Sequence, residues 1–255
     1  MKQVHPAAQT GFSAASATYV SGRPGYPAAL NGWLADILAD GAGKRIVDLG
    51  AGTGKFTAVL VATGAEVIAV EPVQPMRERL QYSFPAISAL NGTADRIPLK
   101  SASVDAVFCA QSFHWFATVE ALREIARVLI PGGVLGLIWN VRDETCDWVS
   151  ALSRIILPYE ENTPRFYQNK WRSVFPAEGF SELQELTFGH DHQGDFQTVV
   201  IDRMMSISFI ASLPQEKRND VERQLRGLLN SFPELRHETT ISFPYQTFVV
   251  WCKKL

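Results

Sequence analysis

The chain has 255 residues, 46% of them hydrophobic and 20% charged, with 24 basic and 26 acidic side chains for a net charge of -2. That length supports one large α/β domain with a core that needs no covalent staples. The balanced charge leaves no basic surplus with which to neutralise a phosphate backbone, so nucleic acid is not the expected partner. Cys109, Cys146 and Cys252 fit neither a metal-ligand spacing nor a disulfide framework. No signal peptide and no run of ~20 apolar residues is present, so a cytoplasmic protein without a membrane span is expected.

In chain order, residues 1–27 read as an irregular arm carrying Gly22, Pro24, Gly25 and Pro27. Residues 28–39 place Leu30, Trp33, Leu34, Ile37 and Leu38 on one helical face, stopped by Gly41 and Gly43. Strands and helices then alternate. RIVDLG (45–50) is a strand, 55–64 a helix, and EVIAVEP (66–72) a strand ended by Pro72. Residues 74–83 form a helix, 86–92 a weaker strand and VDAVFCAQ (104–111) a strand. Cys109 within it reads as a small core residue. Residues 119–129 form a helix with Leu122, Ile125, Ala126 and Leu129 inward, which Pro131, Gly132 and Gly133 turn into the strand VLGLIWN (134–140). Apolar strands alternating with helices predict a parallel sheet covered on both faces. The last third reads as helices over 147–160, 198–211 and 214–230 and strands over 183–190 and 247–254. The helices between those two strands form an insertion in the same domain.

The segment Asp48-Leu49-Gly50-Ala51-Gly52-Thr53-Gly54-Lys55 ends a strand in alternate glycines and opens a helix. Missing Cβ atoms let the backbone turn tightly and approach a ligand, and a helix start offers free N–H groups. A phosphate-cradling P-loop would need Gly at 49 and Ser or Thr at 56, where Leu49 and Phe56 stand. A dinucleotide fingerprint would need Gly at 55, where Lys55 stands. A third ligand class, S-adenosylmethionine, carries an amino acid, a ribose and an adenine but no phosphate.

With these residues in place the chain resembles the class I methyltransferases. Asp48-x-Gly50-x-Gly52-x-Gly54 resembles their glycine motif. Glu71 closes the second strand, Thr93-Ala94-Asp95 resembles the adenine-reading segment, and SVDAVFCAQSFHWF and REIARVLIPGGVLGLIWN resemble the following strand, helix and strand. The arm FSAASATYVSGRPGYP and the tail FPYQTFVVWCKK are similar to those of type 11 methyltransferases, the group of trans-aconitate methyltransferase.

The resemblance implies a Rossmann-like sheet of seven strands, mostly parallel with the last antiparallel, helices on both faces and a C-terminal helical insertion. It implies an arm and first helix (1–43), a cofactor-binding core (44–145) and C-terminal strands with a helical substrate lid (146–255). It implies S-adenosylmethionine as cofactor, held by Asp48, Gly50, Gly52, Thr53, Glu71, Pro72, Ala94, Asp95 and Gln111. Glu71 would accept from both ribose hydroxyls. Thr93 departs from relatives that carry an acid there.

Ligands of open α/β sheets sit beyond the carboxyl ends of the strands, so Gln111-Ser112-Phe113-His114-Trp115-Phe116 should border the reactive methyl. His114 is either a general base or a hydrogen-bonded wall residue. Phe113, Trp115 and Phe116 are either core or a lining that suits a sulfonium. On the arm, Tyr19 and Tyr26 are expected at the substrate pocket, and Arg23 either meets a carboxylate or is a solvated charge. His190-Asp191-His192 lacks a third ligand and is not expected to hold a metal. The expected reaction is methyl transfer to a small molecule, with a carboxylate as one acceptor class. A nicotinamide-dependent oxidoreductase, a non-catalytic cofactor-binding module and a non-methylating rearrangement are the alternatives.

Overall fold

A computed structural model of the chain describes residues 22–161, 163–237 and 239–255. The elements in chain order are α1 (Ala29–Leu38), β1 (Arg45–Leu49), α2 (Thr57–Val61), β2 (Glu66–Val70), α3 (Gln74–Ser83), β3 (Ser88–Leu90), β4 (Val104–Ala110), α4 (Val119–Val128) and β5 (Leu129–Arg142). They continue with α5 (Asp147–Ile156), β6 (Gln184–Gly194), α6 (Arg203–Met205), α7 (Ser208–Ala211), α8 (Gln215–Ser231), α9 (Glu234–His237) and β7 (Ile241–Lys253).

The seven strands form one sheet in the order β3-β2-β1-β4-β5-β7-β6. β1 to β5 pair in parallel, with Asp48 opposite Ala69 and Phe108. β7 runs antiparallel to β5, because Asp143 N donates to Pro244 O near the start of β7 while Gly132 N donates to Lys254 O at its far end. It runs antiparallel to β6 as well, since Ser181 N donates to Lys253 O. The Rossmann-like arrangement that the resemblance implies is therefore present, including its reversed last strand.

Contacts divide the chain into two compact units. A strand-rich unit comprises Tyr26–Trp139, Pro164–Phe188 and Thr247–Leu255. A helical unit comprises residues 22–25 of the arm, Asn140–Thr163 and Gly189–Gln246. The strand-rich unit has a core in which Leu30, Trp33, Leu34 and Leu38 of α1 meet Ile46, Phe56, Leu60, Phe108 and Ile138. Trp33 meets Phe108 edge-on with ring centres 6.0 Å apart, and Phe56 does the same at 6.1 Å. The helical unit has its own core of Trp148, Leu152, Val200, Met204, Val221, Leu225 and Phe243. Among the described residues, no helix is long and apolar enough to cross a membrane.

Several elements depart from the sequence reading. The helix expected over 55–64 is only α2, five residues, because Gly54 turns with φ +90° and Phe56 still belongs to the entry turn. Pro131, Gly132 and Gly133 do not end α4 in a turn. They lie inside β5, where Val104 faces Leu129 but Ala106 faces Val134, so the extra residues bulge out. On α4 the buried face is Ala121, Leu122, Ile125 and Val128, with Ala126 only half-buried. The helix expected over 198–211 is broken into a π-helical turn at Gln197–Asp202, α6 and α7, with Ile207 extended between the last two. β6 and β7 are longer than expected. β7 starts at Ile241 and keeps strict in-out alternation to Phe248.

Candidate functional site

The site is built at the carboxyl ends of β1, β2 and β4 in the strand-rich unit. β1 delivers Asp48, fully buried, whose Oδ2 accepts a 2.6 Å bond from Thr57 Oγ1 on α2. Its Oδ1 is buried with no partner. Burial raises the Asp48 carboxyl from 3.8 to about 7, opposed by the Thr57 hydroxyl and reinforced by the negative charge of Glu71. The chain then leaves the strand through Gly50 at φ +73° and Gly52 at φ +58°. At Gly50 a side chain is impossible for a second reason: a Cβ would come within 2.7 Å of Ser112 Cβ. Ser112 needs that closeness, since its Oγ donates a buried 2.7 Å bond to Leu49 O. Among the described residues, a Cβ at Gly52 would meet only Met76 Sδ, at 4.0 Å, so they leave room for close approach to the backbone there.

Glu71 sits just past β2 and is 5% exposed, which excludes a solvated strand-end acid. Oε2 accepts from Gly52 N and Oε1 from Val73 N, both at 2.8 Å, while Arg77 Nη1 donates to Glu71 O at 2.7 Å. Burial pushes the Glu71 carboxyl up, and those backbone N–H groups and Arg77 oppose it. The carboxylate thus ties the glycine loop to the strand tip while retaining lone pairs for a ligand. Pro72 is half-buried, with its carbonyl 3.3 Å from Arg77 Nη1. Ala94 is buried, whereas Asp95 is exposed and accepts a 2.6 Å bond from Thr93 Oγ1. Thr93 therefore orients an acid two residues on. Thr53 is half-buried in the loop. Gln111 has φ +56° and its N–H bonds to Ile138 O.

Beyond β4 a single 3₁₀ turn carries Phe113, His114 and Trp115. Trp139 Nε1 donates to His114 Nδ1 at 3.0 Å. An indole N–H can only donate, so Nδ1 of His114 is an acceptor and the ring proton lies on Nε2. The bond is the contact expected of the wall-residue reading of His114. In this tautomer Nε2 offers a hydrogen, not a lone pair. Trp139 is in turn clamped by Phe166 and Trp171, with ring centres 4.8 and 4.7 Å away.

The remaining expected residues fall as follows. Phe113 is fully buried between Phe116 and Phe175. Trp115 is half-buried against the His114 ring. Tyr26 packs edge-on against Phe56 at 4.9 Å. Arg23 belongs to the helical unit, where Nη2 donates to Ser206 O at 3.2 Å. Tyr19 lies outside the described residues. His192 Nε2 is 3.2 Å from Gly22 O, and burial pushes His190 down against a bond to the Gly25 carbonyl, so both rings hold the arm. Thr57, Trp139 and Arg77 were not legible as site residues. Only the position of Thr57, nine residues after Asp48 on the next helix, hinted at a contact.

A family profile described as a methyltransferase domain matches residues 47–137. A methyltransferase-like protein of Schizosaccharomyces pombe is 38% identical over 247 residues, covering 95% of each chain. The chain belongs to the methyltransferase family. Over a shorter stretch, a malonyl-[acyl-carrier protein] O-methyltransferase of Methylococcus capsulatus is 38% identical across 97 residues, 36% of this chain and 35% of that one. A solved structure named for a type II methyltransferase of Anaeromyxobacter dehalogenans superposes with a TM-score of 0.66 at 19% identity, covering 91% of this chain and 97% of the other, a likeness of fold.

The methyltransferase uses S-adenosylmethionine as its methyl donor. Its residues fit that group. The open backbone at Gly52, the orphaned Asp48 Oδ1 and the anchored Glu71 carboxylate offer close approach and acceptors. Adenosyl hydroxyls and an ammonium need acceptors of that kind.

Proposed function

We propose that this methyltransferase binds its donor along the tips of β1, β2 and β4 and methylates a small molecule that arrives already ionised, a carboxylate. The observation that carries the second half is the Trp139–His114 bond, which leaves His114 without a basic nitrogen for the acceptor. A carboxylate needs no base at neutral pH. The O-methyltransferase relative, by its name, points the same way over the stretch it shares.

When bound, S-adenosylmethionine supplies a methyl group carried on a sulfonium. The chain's own residues hold and orient. Glu71 accepts from the ribose hydroxyls, as a carboxylate can do twice over. Gly50 and Gly52 let the main chain close on the amino-acid end, with Thr53 and Asp48 beside it. Ala94 and Asp95 border the adenine, and Pro72 and Gln111 complete the wall. His114 donates from Nε2 to an acceptor oxygen, and Trp115 excludes water. Alignment and dryness supply the rate enhancement.

Calorimetric titration with S-adenosylhomocysteine tests the donor half. Glu71→Gln is expected to weaken binding by about 10- to 100-fold, the loss of one or two charge-assisted hydrogen bonds. Unchanged affinity would remove Glu71 from the ribose contact. A screen of carboxylic acids, phenols and amines, scored by gain of one methyl, tests the acceptor half. With a carboxylate the pH profile is expected to be the same in wild type and His114→Gln, since the titration of Asp48 near about 7 is common to both. A limb that titrates like histidine, abolished by His114→Gln, would restore the base.

A further inference from the structure

Among the described residues, the helical unit contains buried polar groups that no hydrogen bond uses. Arg203, the first residue of α6, has Nε and Nη1 buried without a partner. Tyr245 on β7 is 1% exposed, and its hydroxyl is also buried and unpartnered. Arg142, the last residue of β5, is brought beside Tyr245 by the bond from Asp143 N to Pro244 O, and Met204, next to Arg203, shares a core cluster with Tyr245. Burial and then the positive charge of Arg203 push the Arg142 guanidinium down, with Tyr245, Glu144 and Glu160 acting in the opposite sense. Arg142 donates from Nε to Ser153 Oγ at 3.1 Å, and its Nη2 is 3.9 Å from Glu144 Oε1, too long for a hydrogen bond. The segment bearing Arg203 is pinned from the arm: a Cβ on Gly22 would lie 2.8 Å from Arg203 N, and Arg23 is bonded to Ser206 O.

Buried polar groups in folded proteins are almost always satisfied. Two like charges drawn out of water together oppose folding unless something compensates them. Glu144 is about half exposed, so the counter-charge within the chain is partial. The planar fork of a guanidinium matches two oxygens of a carboxylate or phosphate, and a tyrosine hydroxyl adds a third donor.

We propose that Arg203, Arg142 and Tyr245 form an oxyanion site that anchors a small acidic molecule through a carboxylate or phosphate group. The site lies wholly within the helical unit and stands by itself, independent of the function proposed above.

The test uses the full chain, titrated with succinate, inorganic phosphate and the neutral succinamide, followed by calorimetry and thermal melting. Succinate or phosphate is expected to bind saturably and raise the melting temperature, and succinamide to do neither. The better of the two anions identifies the group. Arg203→Met is expected to weaken the anion about tenfold or more and Tyr245→Phe about threefold, while both variants melt at or above the wild type without anion. Arg203→Lys, which keeps the charge and loses the fork, serves if the methionine variant does not fold, with a similar tenfold loss. Absence of saturable binding by either anion, or binding that survives these substitutions, overturns the site. Titration of the same samples with S-adenosylhomocysteine separates the two ideas. Intact donor binding without anion binding defeats only the oxyanion site. Anion binding without donor binding defeats the donor site and leaves the oxyanion site standing.

Discussion

Asp48 concentrates the chemistry of single residues. One oxygen is held by Thr57, the other is buried alone, and the carboxyl rises to about 7. The folded chain therefore holds this proton more tightly than the unfolded chain. Its contribution to stability is full below the ordinary value of 3.8 and is lost as pH rises through about 7. Asp48→Asn keeps an acceptor for Thr57 and removes the titration. In urea denaturation without ligand, the stability of wild type relative to the Asn variant is expected to be lower at about pH 8 than at about pH 5. Equal differences at the two pH values would show that Asp48 does not titrate in this range. His114 shows the same dependence on a neighbour. Its sequence position advertises a base, and one indole N–H from Trp139 makes it a donor.

At the scale of elements, glycines mark where pieces meet and where they do not. Gly136 on β5 lies under Phe108 of β4: a Cβ would come within 2.5 Å of Phe108 Cδ1 and 3.3 Å of Trp33. Gly136→Ala must push an enclosed ring aside and is expected to cost about 1–3 kcal/mol. Gly227 in the interior of α8 has nothing within 4 Å of a Cβ. Gly227→Ala is expected to stabilise by about 0.5–1 kcal/mol through helix propensity alone. Thermal melting of the pair should show opposite shifts, at roughly 2–4 °C per kcal/mol for a chain of this size. A fall for both would mean that α8 is packed more tightly at Gly227 than the structure shows. The strand-helix alternation of these elements was legible because burial on two faces imposes long apolar strands and amphipathic helices. The bulge at Pro131–Gly133 was not. The same residues serve a turn or a bulge, and only the register against β4 decides between them.

Across the whole molecule, the three cysteines report on both cores. Cys109 is fully buried, Cys252 is 1% exposed and Cys146 is half-buried. Burial pushes the Cys252 thiol up to about 12 and the Cys109 thiol well above its ordinary range. A thiol reagent near neutral pH is expected to modify Cys146 alone in the native protein, and all three after denaturation. Rapid native modification of Cys109 would mean that the sheet interior opens. Periodicity determined the alternating sheet, since it depends on which faces are buried, and the resemblance carried by the glycine segment together with Glu71 and the later strands implied the donor class. The arginine group of the helical unit gave no such signal. Arg142, Arg203 and Tyr245 are scattered over 104 positions and read individually as solvated or core residues. Folding alone decided that Arg203 and Tyr245 carry buried groups without a partner among the described residues, beside Arg142, because desolvation and mutual charge are properties of proximity in space and not of order along the chain.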